Sequence, residues 1–84
     1  MTGTPKSKAI EILRNLEKHK RGIYSGGLGY IAGNNTADFS VVIRTIIIQN
    51  CCFEMQTGGG ITEDSEPMEE LQESILKATP LLKA

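Results

Sequence analysis

Three glycines followed by a run of acids are the residues of this sequence best suited to bind a ligand. Gly58, Gly59 and Gly60 leave an apolar segment and lead into TEDSEPMEELQE. Glycines lack a Cβ and can take positive φ, so their backbone N–H groups can approach an anion such as a carboxylate or phosphate. The acids that follow repel a bare anion and attract a cation. The glycines and the acids together suit an anionic ligand that is bridged through a divalent metal. Alternatively, the segment is only structural, a glycine turn followed by a helix whose first turn is acidic.

Two of the acids have a spacing that suits a metal. Glu70 and Glu73 are three residues apart, which makes them neighbours on one face of a helix. Two carboxylates there form a solvated face unless they meet a pocket, where their repulsion requires a cation or a shared proton. Hard oxygen ligands are what Mg²⁺ prefers. Glu70 and Glu73 are therefore candidate metal ligands.

A single arginine interrupts the most apolar segment. Arg44 lies in VVIRTIII, where a structural arginine needs a carboxylate or carbonyls and a functional one would bind an anionic ligand. The residues alone leave both interpretations open. His19 has no second histidine to form a metal site, and a solvated place at the end of a helix explains it.

Composition restricts the class of protein. The 84 residues suffice for one small domain of ordinary composition, 39% hydrophobic and 23% charged. Residues 1–44 carry a net charge of +4 and residues 45–84 one of −5, so we expect no basic surface for nucleic acid. The apolar runs are too short to span a membrane, no signal peptide opens the chain, and Cys51 and Cys52 are adjacent, as expected for reduced thiols. These features predict a cytoplasmic protein.

Local patterns predict an α+β fold. Thr4 as N-cap and Pro5 at the first position predict an N-terminal helix that ends near Gly22, with basic residues in its last turn. Pro67 predicts the start of a C-terminal helix, which Pro80 should end or kink. Between the helices we predict an antiparallel three-stranded meander with turns at residues 33–35 and 50–51. Its strands are expected within residues 23–33, at Phe39 to Gln49 and at Cys52 to Gln56.

Four motifs occur in an order that resembles a known family. They are TGTPKSKAIEIL, RGIYSGGLGY, VVIRT and QTGGGITEDSEPMEELQE. In this order they resemble the C-terminal part of chorismate-utilising enzymes, which include component I of aminodeoxychorismate synthase and of anthranilate synthase. The resemblance covers nearly all of the chain. It implies that residues 1–84 are an incomplete, C-terminal portion of a chorismate-binding catalytic domain.

The resemblance also implies roles for particular residues. Tyr24 and Arg44 would contact the carboxylate of the enolpyruvyl group, and Gly58 and Gly60 would present backbone N–H groups to chorismate. Glu73 would bind Mg²⁺ directly and Glu70 would bind it through water. The Mg²⁺ ion would hold the ring carboxylate.

Finer features favour one branch of the family. The GGG triplet, the TG before PK and the RGIYSG motif favour the aminodeoxychorismate branch, a transferase activity that serves para-aminobenzoate and folate synthesis. There the C4 hydroxyl of chorismate is replaced by an amino group from ammonia, which a glutamine amidotransferase subunit supplies. One alternative is component I of anthranilate synthase, a lyase of tryptophan synthesis that aminates C2 and eliminates pyruvate. The other is a non-catalytic α+β interaction module.

One departure from the family pattern concerns catalysis. Family members carry a catalytic histidine and further metal-binding acids before TGTPK, and here that motif starts at Thr2. We therefore assign no catalytic residue and expect the isolated chain to be inactive. A remainder of the catalytic domain or a homo-oligomer partner would complete the site.

Overall fold

The computed structural model describes residues 1–83, so the last residue of the predicted 1–84 domain lies outside it. The elements in chain order are α1 (Lys6–Leu16), β1 (Gly27–Ile31), β2 (Ala37–Val41), β3 (Ile46–Gln49), β4 (Cys52–Met55) and α2 (Pro67–Leu82). The predicted α+β class is confirmed. Contacts divide the chain into two compact units, Met1–Val42 and Ile43–Ala84.

Helix α1 is shorter than predicted. Pro5 is its N-cap, with an extended ψ of 142°, and no side chain caps the first turn, so the predicted Thr4 cap is wrong. The helix ends at Leu16 rather than near Gly22, because Glu17 turns extended with a ψ of 123°. The basic residues 18–21 consequently lie beyond the helix, and only Arg14 occupies its last turn.

Arg21 organises the segment that follows α1. Its guanidinium donates to both carboxylate oxygens of Glu17, to the Met1 carbonyl at 2.7 Å and to Ser25 Oγ at 2.9 Å. Ser25 is the one buried polar residue in the described part of the chain, 7% exposed. The contact with Met1 joins residues that are far apart in the chain, whereas Glu17 and Ser25 each lie four residues from Arg21.

The predicted three-stranded meander is wrong: the strands form two separate antiparallel hairpins, β1–β2 and β3–β4. The long strand expected from Phe39 to Gln49 is interrupted at residues 42–45. Val42 stays with the first hairpin, since its N–H donates to the Gly26 carbonyl and its own carbonyl accepts from Ser25. Arg44 then takes a φ of 50°, which no regular strand allows.

A close backbone approach defines the first hairpin. Gly29 of β1 pairs with Phe39 of β2. A Cβ at Gly29 would fall on the Asp38 carbonyl oxygen and within 2.7 Å of Phe39 Cα. A glycine inside a strand permits this close approach of two backbones. The predicted turn at residues 33–35 is also present, with Asn35 at a φ of 65°.

A two-residue turn closes the second hairpin. Asn50 and Cys51 have φ values of 51° and 61°, and Gln49 pairs with Cys52. Positive φ at both central residues matches the right-handed twist of the flanking strands. Both cysteines are free and exposed. The turn predicted at residues 50–51 is confirmed.

Helix α2 begins at Pro67, as predicted, and Glu66 is its N-cap. Pro80 does not end the helix, which continues to Leu82. Pro80 lacks the N–H that would bond to the carbonyl four residues earlier, yet one turn later the Lys83 N–H donates to the Thr79 carbonyl at 3.1 Å. A proline so close to the C-terminus removes little of the helix.

Little apolar surface is buried in either unit. Among residues 1–83 the buried hydrophobic residues are Val42 and Ala78. The apolar side chains of α2 are largely uncovered, since Leu71 is 53% and Ile75 56% exposed. The described residues therefore supply amphipathic elements without a substantial core around them.

Candidate functional site

The glycine segment lies against helix α2 within the second unit. Thr57 Oγ1 donates to the Ser74 carbonyl at 2.9 Å, and Ser74 Oγ donates to the Glu70 carbonyl at 3.0 Å. A Cβ at Gly59 would stand 3.3 Å from Glu70 Oε2 and 3.9 Å from Lys77 Nζ. One carboxylate and one ammonium group therefore face the middle glycine.

In the glycine segment, glycine is favoured by the close approach of an α2 side chain to the backbone, not by unusual backbone angles. The positive-φ glycines in the described part of the chain are Gly3 and Gly22. Gly59 has Glu70 within a tight contact distance of its missing Cβ, whereas nothing lies within 4 Å of that point at Gly60. Gly60 is exposed and Gly58 half-buried. The open space at Gly60 leaves the backbone accessible to a ligand.

Glu73 is engaged by a cation of its own helix. Its Oε1 lies 3.1 Å from Lys77 Nζ, one helical turn away. The Glu73 side chain is 58% exposed and the Lys77 side chain 33%, so the pair is a surface ion pair that contributes at most about 1 kcal/mol. An incoming cation can displace Lys77 from Glu73 at little cost.

A shallow groove lies beside Glu70. It encloses about 310 Å³ at the start of α2. Its walls are mainly apolar, with Glu70 as the one charged side chain. The lining residues are Ile61, Ser65, Pro67, Glu70, Leu71 and Ser74. Glu70 thus faces the glycine segment and also borders a space that a small molecule can enter.

Arg44 is exposed in the bend between β2 and β3, not in a strand interior. Within residues 1–83 its guanidinium meets no carboxylate. Its φ of 50° is unfavourable for a side chain larger than glycine and costs about 1 kcal/mol or more. Structural pairing therefore does not account for this arginine, and its guanidinium is available to an anion.

Tyr24 belongs to the first unit, Met1–Val42. It is half-buried in the turn before β1, where its N–H donates to the Arg21 carbonyl at 3.0 Å. In the described part of the chain its hydroxyl makes no hydrogen bond. The other five predicted site residues all belong to the second unit.

Comparison with known proteins identifies the family. The model of the chorismate binding enzyme family matches residues 1–83. The chain belongs to the chorismate-binding enzyme family. The chain is 43% identical over its full length to anthranilate synthase component 1 of Cereibacter sphaeroides and, equally, to that of Pseudomonas aeruginosa. It is 47% identical over 77 residues, 92% of the chain, to chloroplastic aminodeoxychorismate synthase of Arabidopsis thaliana.

The chain spans only part of these chorismate-binding relatives. It covers 17% of the length of the two bacterial proteins and 8% of the plant protein. The match nevertheless includes every element described above, from α1 to α2. Family membership thus extends over both units of the chain.

The magnesium site expected at Glu70 and Glu73 stays a prediction. Glu70 and Glu73 lie one turn apart at the start of α2, and Glu70 faces the glycine segment. The described residues contain no group of three or more acids, histidines or cysteines able to hold a metal ion. Mg²⁺ keeps several waters and often shares its ligands with a substrate, so two carboxylates suit one side of such an ion.

The sequence reasoning missed Lys77. This lysine follows Glu73 by four residues and Glu70 by seven, spacings that place all three on one helix face. The same spacing argument that selected the two acids would have found it. Thr57 and Ser74, which join the glycine segment to α2, left no sequence signal.

No helix within residues 1–83 has the length and hydropathy to cross a membrane.

Proposed function

We propose that this chain binds chorismate and Mg²⁺ as the C-terminal part of a catalytic domain of the aminodeoxychorismate synthase component I type. The observation that supports this most directly is the position of the glycine segment against α2. There a Cβ at Gly59 would come within 4 Å of both a carboxylate and an ammonium group. An anion beside the glycines has a cation at hand in Lys77, and a metal has carboxylates at hand in Glu70 and Glu73.

Chorismate has two anionic groups that these residues would bind. The substrate carries two carboxylates, one on the ring and one on the enolpyruvyl group. Arg44, whose guanidinium meets no carboxylate in the described residues, would bind the enolpyruvyl carboxylate together with Tyr24. The backbone N–H groups of Gly58 and Gly60 would donate hydrogen bonds to the substrate.

Glu73 would hold Mg²⁺ directly and Glu70 would support it through water. When bound, the ion would neutralise the ring carboxylate beside an otherwise acidic helix start. Lys77, released from Glu73, would remain within reach of the glycine segment as a second positive charge. Substrate and metal would therefore reinforce each other's binding on α2.

The activity we propose is amination of chorismate at C4. Ammonia from a glutamine amidotransferase subunit would replace the C4 hydroxyl, which leaves as water. The GGG triplet and the RGIYSG motif support this branch. None of the residues in the chain is assigned to proton transfer, so the isolated chain is expected to bind chorismate without converting it.

Anthranilate synthesis is the second candidate. It is favoured by relatives of that name that align with the full chain, such as the Cereibacter sphaeroides and Pseudomonas aeruginosa proteins. Amination at C2 would release pyruvate, whereas amination at C4 would not. A reconstituted catalytic domain containing this chain, supplied with chorismate, ammonium and Mg²⁺, distinguishes the two by coupled detection of pyruvate.

Binding is tested on the chain itself by NMR. Adding chorismate with Mg²⁺ should shift the amide signals of Gly58 and Gly60 and the guanidinium signal of Arg44. Benzoate, which carries one carboxylate and no enolpyruvyl group, is the control ligand and should shift them less. Unchanged spectra at millimolar chorismate with saturating Mg²⁺ would contradict the proposal.

A further inference from the structure

One side chain joins the glycine segment to helix α2. Thr57, the residue before Gly58, donates its hydroxyl hydrogen to the Ser74 carbonyl at 2.9 Å, across 17 positions of the chain. Among the hydrogen bonds of the described residues, only this one joins residues 57–60 to α2. The segment therefore depends on a single directional contact for its place beside the helix.

The hydrogen bond reaches α2 at the turn that carries both predicted Mg²⁺ ligands. Ser74 directly follows Glu73, and Ser74 Oγ donates to the Glu70 carbonyl at 3.0 Å. A carbonyl oxygen has two lone pairs, so that of Ser74 can accept from Thr57 as well as from the helix N–H four residues later. Thr57 is thus attached to this turn without removing a hydrogen bond of the helix.

The surroundings of Gly59 show what this contact holds in place. Glu70 Oε2 lies 3.3 Å, and Ser74 Oγ and Lys77 Nζ lie 3.9 Å, from the point where a Cβ of Gly59 would stand. Glycine has more backbone freedom than any other residue, so three glycines in succession do not fix these distances by themselves. The Thr57 hydroxyl restrains the segment at the residue where it begins.

Stability of the fold gives little reason for this hydroxyl. Thr57 is exposed, and so is its hydrogen bond. Water competes for both the donor and the acceptor, so such a bond contributes only modestly to folding. A modest restraint has a larger effect where two binding groups must stay at a fixed separation, because preorganisation reduces the entropy that is lost on binding.

We infer that Thr57 is a positioning residue that couples Mg²⁺ binding on α2 to chorismate binding at the glycine backbone. The inference rests on the proposed function for the identity of both ligands. The hydroxyl restrains the distance between the backbone N–H groups of Gly58 and Gly60 and the carboxylates of Glu70 and Glu73. Mg²⁺ on the helix then meets a substrate that the glycine backbone holds in position, so each ligand raises the affinity for the other.

The test measures the chorismate affinity of the chain by NMR titration with and without Mg²⁺. Thr57→Val keeps the shape of the side chain and removes its donor. In this variant the factor by which Mg²⁺ raises the affinity should fall about threefold to tenfold, the effect of one hydrogen bond. The affinity without Mg²⁺ should stay nearly the same, because the glycine N–H groups and Arg44 remain. Thr57→Ser keeps the hydroxyl and should retain the coupling.

The matched control is Thr79→Val. Thr79 Oγ1 also donates to a carbonyl of α2 at 2.9 Å, that of Ile75, but it does so from within the helix. This variant loses a bond of the same kind without releasing the glycine segment, so its coupling should equal that of the parent chain. Circular dichroism of each variant verifies that the helices and strands persist.

A second measurement uses Mg²⁺ alone. Adding the ion should shift the amide signals of Gly59 and Gly60 in the parent chain and in Thr57→Ser. The shifts should be smaller in Thr57→Val, because the segment is no longer held beside the carboxylates of α2. This readout needs no chorismate.

Two results would overturn the inference: equal coupling in Thr57→Val and the parent chain, or equal loss of coupling in Thr57→Val and Thr57→Ser. A loss of chorismate affinity that is the same with and without Mg²⁺ would overturn it as well, since it would indicate a structural defect.

Failure of the proposed function is distinguishable. A parent chain that binds Mg²⁺ but no chorismate contradicts the function, and the amide shifts with Mg²⁺ alone then decide the role of Thr57. A parent chain that binds both ligands, with the same coupling in every variant, contradicts the inference alone. Absence of Mg²⁺ binding would overturn both.

Discussion

Arg44 combines an unfavourable backbone with an unpaired charge. In the described residues no carboxylate faces its guanidinium, and its φ is 50°. A backbone conformation that costs free energy persists where another requirement holds the residue. Anion binding is such a requirement, and it also explains why the residue is charged. Neither the bend nor the apolar neighbours of Arg44 require a positive charge.

Replacing Arg44 separates these two properties. Arg44→Gly should leave the free energy of unfolding unchanged or raise it by up to about 1 kcal/mol, because glycine accepts positive φ. The same change should weaken chorismate binding by about tenfold to a hundredfold, since a charge-assisted hydrogen bond is lost. Urea unfolding and NMR titration measure the two effects.

Asn35→Gly is the matched control for Arg44→Gly. Asn35 also has positive φ, 65°, but lies in the turn between β1 and β2 and has no assigned role in binding. Its replacement should affect stability similarly and leave chorismate affinity unaltered. Equal binding by the Arg44 and Asn35 variants would remove Arg44 from the site.

Glu73 is the candidate direct ligand of Mg²⁺. Glu73→Gln should raise the Mg²⁺ concentration that half-saturates chorismate binding by about tenfold, because a neutral amide is a poorer ligand than a carboxylate. Glu69→Gln, which changes an exposed acid in the first turn of the same helix, is the control. An unaltered Mg²⁺ titration of the Glu73 variant would exclude it as a ligand.

At the scale of elements, hairpin β1–β2 depends on one glycine. The Asp38 carbonyl and Phe39 occupy the space that a side chain at Gly29 would need. Gly29→Ala should lower the free energy of unfolding by about 1 to 3 kcal/mol, because backbone must move to relieve the overlap. Gly27→Ala in the same strand is the control, since nothing lies within 4 Å of its missing Cβ. Equal urea midpoints for both variants would contradict this interpretation.

The end of α1 is tied by an ion pair that responds to pH. A hydrogen bond from Arg21 holds the pKa of the Glu17 carboxyl below its ordinary value of 4.5. Because the pKa is lower in the folded than in the unfolded chain, the pair stabilises the fold above pH 4.5, and this stabilisation is lost as the pH falls through the folded-state pKa.

Glu17→Gln should therefore reduce the loss of stability between neutral and acidic pH. The effect will be modest, since the Glu17 side chain is 38% exposed and solvent screens the pair. Glu11→Gln removes the more exposed pair with Lys8 and serves as control. Hydrogen exchange of the residues around Arg21, followed across pH, measures the difference. Identical pH profiles for Glu17→Gln and the parent chain would show that the pair does not act in this way.

At the scale of the whole molecule, exposed apolar side chains outnumber buried ones. Val42 and Ala78 are the buried hydrophobic residues of the described part, while large apolar side chains are exposed on every helix and strand. Burial of apolar surface is the main stabilising contribution to folding, at about 25 cal/mol per Å². The chain as described leaves much of this contribution unused.

Features that depend on neighbouring residues could be predicted from the sequence. The turn at 50–51 and the start of α2 at Pro67 follow from local backbone preference, as does the α+β class. The order of the four motifs sufficed to indicate the family that the comparison identified. Local preference also placed Glu70 and Glu73 on one helix face, because helical spacing requires no tertiary information.

Features that depend on residues far apart in the chain became visible only in the folded structure. The segment after α1 is joined to the N-terminus by the hydrogen bond from Arg21 to the Met1 carbonyl, and the break at 42–45 replaces one long strand by two hairpins. The glycine segment is significant because Glu70 and Lys77 come close to Gly59 from α2. No local pattern encodes these distances, since they arise only when separate segments pack together.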